Sequence, residues 1–188
     1  MKVLLHACCG PCASHCVMAL RESGHDVTLF FSNANIAPDP EFRKRLDTLR
    51  RLADCLKAPA LVDEPDHGDW LETVAKGFEH ENEQGARCER CFRYSLARTR
   101  DMTDKHGFDM FTTSLSVSPH KHTPTIFKAG IGLDSKRFLA VDFKKGDGFK
   151  ASLRLSERFG LYRQNYCGCE FSARTAPRPA ALTCPSAT

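Results

Sequence analysis

The sequence predicts an α/β fold: a Rossmann-like parallel sheet with helices on both faces. Three observations predict it. Short apolar runs alternate along the chain with longer amphipathic stretches, the strand–helix order of a parallel sheet. Glycine or proline punctuates the junctions, as at Gly24, Pro59 and Gly107. Polar loops rich in cysteine, asparagine or serine follow the apolar runs, and in such sheets functional groups gather at the carboxyl ends of the strands.

Residues 2–7 form a short apolar run that ends in cysteines and reads as a buried strand. Residues 11–23 read as a helix, with Pro11 tolerated in its first turn and Gly24 ending it. A second strand is expected over 26–31, rich in Val, Leu and Phe, and then a loop over 33–40 with two prolines. Residues 41–56 have helical spacing at Phe42, Leu46, Leu49 and Leu52. Pro59 breaks that helix, and 60–62 form a short third strand. Residues 70–78 read as helical and 79–87 as a polar loop. A long helix is expected over 88–106, closed by Gly107, with a fourth strand over 109–113. A polar loop over 114–124, a helix over 125–133, a fifth strand over 137–141 and a last helix over 149–159 complete the pattern. Residues 1–172 thus form one domain, and 173–188, with three prolines and small residues, read as a disordered tail in which Cys184 has no role. No internal repeat is visible. The loops that hold Cys8 to Cys12, Asn33 to Asn35 and Ser114 to His122 should share one rim of the sheet.

A chain of 188 residues can bury a proper core without disulfides. Its start carries no secretory signal, and no apolar run approaches the ~20 residues that span a bilayer. A cytoplasmic location is expected, where thiols stay reduced and a disulfide scaffold is not the use of cysteine. Net charge is +4 and the isoelectric point about 8.5, only mildly basic. The basic residues bunch at Arg43, Lys44, Arg45, Arg50 and Arg51, at Arg87, Arg90, Arg93, Arg98 and Arg100, and at Lys144, Lys145, Lys150 and Arg154. Solvated helix faces account for much of this. The second run surrounds Cys88 and Cys91, however, and positive charge there favours a phosphate-bearing substrate or nucleic acid.

Seven of the ten cysteines lie in three groups: Cys8-Cys9-Gly10-Pro11-Cys12, Cys88-x-x-Cys91 and Cys167-Gly168-Cys169. The first sits between a strand and a helix N-terminus, where free N–H groups favour the thiolate form that binds metals or attacks electrophiles. Cys88 and Cys91 are three apart and face one way on a helix. A disulfide between Cys167 and Cys169 would be a very tight ring, so metal binding suits that pair better. Seven thiols exceed what a single tetrahedral zinc takes and suit an iron–sulfur cluster with something beside it. Cys16, one turn beyond Cys12, and Cys55, at a helix end, read as buried core thiols. Two rivals remain. Cys9-Gly10-Pro11-Cys12 spells the thioredoxin tetrapeptide, but only one strand precedes it, Cys8 stands where a tryptophan is usual, and the other pairs would go unused. A zinc-bound nucleic-acid module without catalysis is the other; a brown, visibly absorbing anaerobic protein would separate it from an iron protein.

With these residues in hand, the chain resembles the QueH family of cobalamin-independent epoxyqueuosine reductases from about Met1 to Ser172. The resemblance rests on His6-Ala7-Cys8-Cys9-Gly10-Pro11-Cys12, Phe31-Ser32-Asn33-Ala34-Asn35-Ile36-Ala37-Pro38 and Glu41-Phe42-x-x-Arg45. It continues through Arg87-Cys88-x-x-Cys91-Phe92, Thr112-Thr113-Ser114-Leu115-x-Val117-Ser118-Pro119-x-Lys121, Phe149-Lys150 and Tyr162-Arg163-Gln164-x-Tyr166-Cys167-Gly168-Cys169. It implies a HUP-like version of the sheet and a [4Fe-4S] cluster with a separate mononuclear metal, iron, close beside it. The implied ligands are Cys8, Cys9, Cys88, Cys91, Cys167 and Cys169. Cys12 stands where some members carry an aspartate that helps hold the second metal, which makes it a further ligand and catalytic candidate together with Lys121. The implied partners are a tRNA anticodon loop bearing epoxyqueuosine at the wobble position and an external electron donor, with no membrane. The implied reaction removes the epoxide oxygen as water, consuming two electrons and two protons.

Other residues are weaker candidates. His120, Lys121 and His122 could donate protons or hold phosphate. Tyr162, Arg163 and Tyr166 could stack on a base, Asn33 and Asn35 favour turns in any case, and His6 reads as a core residue. No Walker lysine motif or pyrophosphatase loop follows the first strand, and no ATP use is expected.

Overall fold

Four strands, β1 (Lys2–His6), β2 (Asp26–Ser32), β3 (Ala60–Asp63) and β4 (Met110–Thr113), pair in parallel in the order β3-β2-β1-β4. The computed structural model describes residues 1–64 and 66–173. β1 is central: His6 stands opposite Phe30 on one side and Thr113 on the other. With helices over both faces, its side chains from Val3 to His6 are inside, which is why it reads as a continuous apolar run rather than an alternating one.

On one face, α1 (Gly10–Glu22) and α2 (Asp39–Leu56) pack Ala13, Val17, Leu46 and Leu49 against Val3, Leu5, Val27, Leu29 and Phe31. Each such side chain contributes roughly 1.5–3 kcal/mol when fully buried. α6 (Gly148–Arg158) lies against the outer side of α1. On the other face, α4 (Ala86–His106) and α5 (Thr123–Leu133) bring Phe92, Leu96 and Ile126 onto Leu4, Phe30 and Phe111. A third patch joins Trp70, at the end of the short α3 (His67–Trp70), to Ala34, Val74 and Cys169, just before α7 (Glu170–Ala173). The chain leaves β1 toward β2 on one side, and β4 returns on the other. The carboxyl ends of β1 and β4 therefore flank the crevice in which such sheets bind their ligands.

Several boundaries differ from the sequence reading. The expected fifth strand over 137–141 is one isolated bridge between Phe111 and Phe138. Beyond it, the Thr112 and Ser116 hydroxyls donate to the carbonyls of Leu139 and Val141, each at 2.7 Å, and occupy acceptors that a ladder would need. The helix expected over 70–78 begins earlier, because the Asp66 carboxylate accepts the Gly68 N–H at 2.8 Å as its cap. It continues as a π-helical turn over Leu71–Ala75. The loop over 114–124 opens with a buried 3-10 turn, Ser114–Val117, and α5 starts at Thr123. Cys55 is exposed and not in the core: Leu49, Leu52 and Ala53 take the inward positions of α2. The tail beyond residue 173, with Cys184, lies outside the described residues. Among the described residues no helix is long and apolar enough to cross a membrane.

The cysteine loop passes so close to α2 that a Cβ on Gly10 would stand 2.8 Å from the Thr48 carbonyl oxygen and 2.9 Å from its Cγ2. Gly10→Ala must push α1 from α2, and a loss of about 1–3 kcal/mol is expected. Urea unfolding reads it as a lower midpoint; an unchanged midpoint would contradict this packing.

Candidate metal centre

The backbone leaves β1 at His6, and Cys8 and Cys9 occupy the turn into α1. Cys9 is the N-cap of α1: in extended conformation, its Sγ accepts the Cys12 N–H at 3.5 Å. Cys8 and Cys9 place their Sγ atoms 3.9 Å apart, and with Cys12 the three sulfurs lie within 4.8 Å of one another. Tetrahedral thiolates at the usual ~2.3 Å from one metal would be about 3.8 Å apart, so the trio fits a single ion. Ser114, just past β4, fixes Cys8 from the neighbouring strand. Its Oγ accepts the Cys8 N–H at 3.3 Å and donates to Cys8 Sγ at 3.7 Å.

The three thiols are shifted in opposite directions. Thiol hydrogen bonds from Cys12 and Cys8, and the Cys12 N–H, hold Cys9 well below the usual thiol range despite burial. Contacts with Cys8 and Cys9, and burial, push Cys12 well up. Cys8 is stabilised as thiolate by Cys12, but Cys9 and burial outweigh this and push it up to about 12.

The other two cysteine groups come from the opposite side of the crevice. Cys88 and Cys91 lie in the opening turns of α4, and Cys88 Sγ accepts the Gln84 N–H at 3.3 Å. Burial pushes both thiols up, with the neighbouring Cys167 adding to it. Cys91 packs beside Cys169 in the Trp70 patch. The Cys167-Gly168-Cys169 loop is held by Arg45, whose side chain is 1% exposed. Its guanidinium donates to the Cys167 carbonyl at 2.8 Å and the Tyr166 carbonyl at 3.4 Å, and to the Glu41 carboxylate one helical turn away at 2.6 Å. Burial opposes that charge, and Glu41 with the Cys9 and Cys8 sulfurs outweighs it. Gly168, at φ +137°, passes so near that a Cβ would meet Arg45 Nη1 at 3.0 Å.

Cys8, Cys12, Cys91 and Cys167 all line one cavity of about 650 Å³. Cys9, which accepts the Cys12 N–H, and Cys169 are buried and Cys88 half-buried, and these three do not join the lining. Lys121 reaches into the cavity between the two sulfur groups. Its Nζ donates to Cys167 Sγ at 2.9 Å and lies 5.5 Å from the centre of the Phe92 ring. Burial works against the ammonium, but Cys167, Cys8 and Cys91 more than compensate and keep it charged. The donor set, sulfurs with one interposed cation, fits thiophilic metal chemistry.

The remaining candidates divide. Asn33, Asn35, His120, Arg163 and Tyr166 line the cavity. His6 is buried, with Nδ1 2.9 Å from Thr113 Oγ1, and burial lowers its pKa to about 4, so it is neutral. His122 does not join the lining; its Nδ1 lies 2.8 Å from Thr125 Oγ1. Tyr162 also stays out, its hydroxyl donating to Glu41 at 3.1 Å and Lys44 lying 3.6 Å from its ring centre. Cys16 is buried as expected and donates to the Cys12 carbonyl at 3.1 Å.

Of the basic run around the second cysteine pair, Arg87 is buried, Arg98 and Arg100 are half-buried, and Arg90 and Arg93 are exposed. Arg87 is buried and donates to the carbonyls of Phe78, Glu79 and Glu81. Arg90 donates to those of Val74 and Thr73, and Arg98 pairs with Asp63 at 2.6 Å. Arg87, Arg90 and Arg98 thus brace the segments beside the second cysteine pair. Sequence reasoning missed the placing roles of Arg45 and Ser114; the Glu41-x-x-x-Arg45 spacing, one helical turn, was the available signal for the first.

The family described as epoxyqueuosine reductase QueH matches residues 3–175. The epoxyqueuosine reductase QueH of Streptococcus pyogenes serotype M1 is 34% identical over 182 residues, covering 92% of this chain and 71% of that protein. The one from Thermotoga maritima is 35% identical over 176 residues, covering 90% of this chain and 89% of that protein. A crystal structure described as a predicted subunit of tRNA methyltransferase from Methanocaldococcus jannaschii superposes with a TM-score of 0.56 at 14% identity, over 84% of this chain and 74% of that one. At that identity the likeness is of fold alone.

Arg45→Met strands the Glu41 carboxylate and frees the Cys167 loop. A loss of about 3–5 kcal/mol is expected, with Arg45→Lys recovering part of it. Denaturant unfolding of both variants measures it, and a near-neutral Arg45→Met would remove the anchoring role.

Proposed function

The chain belongs to the epoxyqueuosine reductase QueH family, and on that premise we propose that it reduces epoxyqueuosine in tRNA to queuosine with a cysteine-held iron centre. The observation that carries this reading is that thiols from all three cysteine groups surround one cavity. We assign Cys88, Cys91, Cys167 and Cys169 to a [4Fe-4S] cluster, and Cys8, Cys9 and Cys12 to a single metal ion, iron by preference. The grouping of the sulfurs supports the division: Cys91 feels the charges of Cys167, Cys88 and Cys169, whereas the trio is close-set at the start of α1.

The reaction takes up two electrons and two protons, breaks both bonds of the epoxide oxygen, forms the ring double bond and releases water. When bound, the metals supply single electrons and a Lewis-acidic position for the epoxide oxygen. The electrons come from an external donor. The chain's own contribution is to hold the substrate ring and to deliver protons. Lys121 is the proton carrier: its charged Nζ is buried in the cavity and aimed between the sulfur groups, and Phe92 and Cys167 orient it. Cys12 completes the sulfur trio at the cavity wall, where its thiolate adds charge toward the metal.

The tRNA enters from the cavity mouth. Residues 162–166 form a strap across it, tied down by cation–aromatic pairs. Lys44 lies over Tyr162, Arg163 over Phe149 at 5.1 Å, and Arg45 over Tyr166 at 5.0 Å. The exposed Arg163 and the edge of Tyr166 offer flat faces to unstacked anticodon-loop bases and charge to their phosphates.

Serine at any one of Cys88, Cys91, Cys167 or Cys169 is expected to lower iron per chain and cut turnover on epoxyqueuosine-bearing tRNA by at least about a hundredfold. Lys121→Met should keep its iron and lose about 10²-fold or more in kcat. Anaerobic reconstitution, metal analysis and single-turnover assays measure both. Full iron and full turnover in all four serine variants would overturn the ligand assignment.

A further inference from the structure

Lys121 is rooted in an irregular stretch of chain. Past the 3-10 turn Ser114–Val117 the backbone bends tightly, and the Lys121 N–H donates to the Ser118 carbonyl at 3.3 Å. A lysine side chain has several freely rotating bonds, so aiming its ammonium costs entropy unless its root is fixed as well as its tip. The tip is fixed at Cys167. The root is fixed by a second lysine: Lys144 Nζ donates to the Lys121 carbonyl oxygen at 2.9 Å. A strongly hydrated ammonium is ordinarily left in water or paired with a carboxylate; here it is committed to one backbone oxygen. Lys144 makes no ion pair among the described residues, and it does not line the cavity. Its own root is rigid. Phe143, just before it, is buried in the core, and the Phe143 N–H donates to Ser116 Oγ at 3.4 Å. The Lys144 N–H donates to Asp142 Oδ1 at 3.2 Å. Gly148 lets the following turn close, since a Cβ there would collide with the Phe143 carbonyl oxygen. A braced segment thus reaches over to the bend that carries Lys121.

Resting on the proton-carrying role assigned to Lys121 above, we propose that Lys144 positions it: by holding the Lys121 backbone, it keeps Nζ at Cys167 inside the cavity. Lys144 is a positioning residue, because it stands outside the cavity lining and acts only through its neighbour. Without it Lys121 keeps its chemistry and loses its aim. A reacting group misplaced by about 1 Å can cost up to roughly a hundredfold in rate. The stretch over 137–144, which forms no fifth strand, gains a use by this reading: it braces the proton carrier. The loss on removing the brace falls on the chemical step and not on the binding of tRNA.

Iron-loaded protein and epoxyqueuosine-bearing tRNA supply the test. Lys144→Met is expected to lower kcat about tenfold, with KM, the salt dependence of tRNA binding and iron per chain unchanged. Lys144→Arg keeps a long cationic donor and should bring kcat back to within about threefold of the unaltered protein. In Lys121→Met the side chain to be aimed is gone, so adding Lys144→Met should change kcat by less than about twofold. A full tenfold loss on top of Lys121→Met would overturn the proposal. A raised KM with a shallower salt slope would overturn it too, since Lys144 would then be a phosphate contact. So would a loss of iron that matches the loss of kcat, for the residue would then serve only the scaffold of the metal centre. If Lys121→Met loses turnover and Lys144→Met does not, the proposal alone falls. If Lys121→Met turns over normally, or the unaltered protein turns over none, the reading beneath it falls and takes the proposal with it.

Discussion

One buried guanidinium decides where the carboxyl-terminal sulfurs stand. Arg45 sits on α2, under the sheet's carboxyl rim, and gives its donors to Glu41 and to two carbonyls of the Cys167 loop. An isolated charge in that place would be prohibitive; a carboxylate one turn away and two aligned carbonyls make it tolerable. Because the acceptors on the loop are backbone atoms, the arginine dictates the path of the chain and not merely the rotamer of a neighbour. Gly168 matches it from the other side, with no side chain in the space the guanidinium needs.

The same economy of charge runs through the cavity. Burial pushes the Cys8, Cys12, Cys88 and Cys91 thiols up, whereas neighbouring donors hold Cys9 down. Lys121 is the counterweight, a cation whose ordinary hydration has been replaced by three sulfur neighbours. The arginines of α4 act on the backbone instead. Arg87 and Arg90 replace water at the free carbonyls of the 73–81 stretch, which has few ladder or helix partners of its own.

Much of this was legible in the sequence because the signal was local. β1 and β2 are largely buried and read as apolar runs, and the cysteine spacings point to metal chemistry. The parts that were not legible depend on partners distant in the chain. Phe138 and Leu139 look like strand residues, but the hydroxyls of Thr112 and Ser116 end the pairing there. Arg87 and Arg93 are the same letter in the same run, yet one is buried among carbonyls and the other faces water. Cys55 fits the core by its chemistry and lies outside it by one step around a helix. Spacing did not show that Cys91 lines the cavity while Cys88 does not, nor that a lysine from beyond β4 would reach Cys167.

The cavity is also a statement about when the protein becomes functional. Its first sulfur belongs to the eighth residue and its last to residue 167, and the central strand pairs on one side with β4, more than a hundred positions away. A chain still emerging from the ribosome holds only half of the bowl. Filling it is an event of the finished polypeptide, and a copy clipped near its carboxyl end would keep its sheet and helices yet present a vessel with one wall gone.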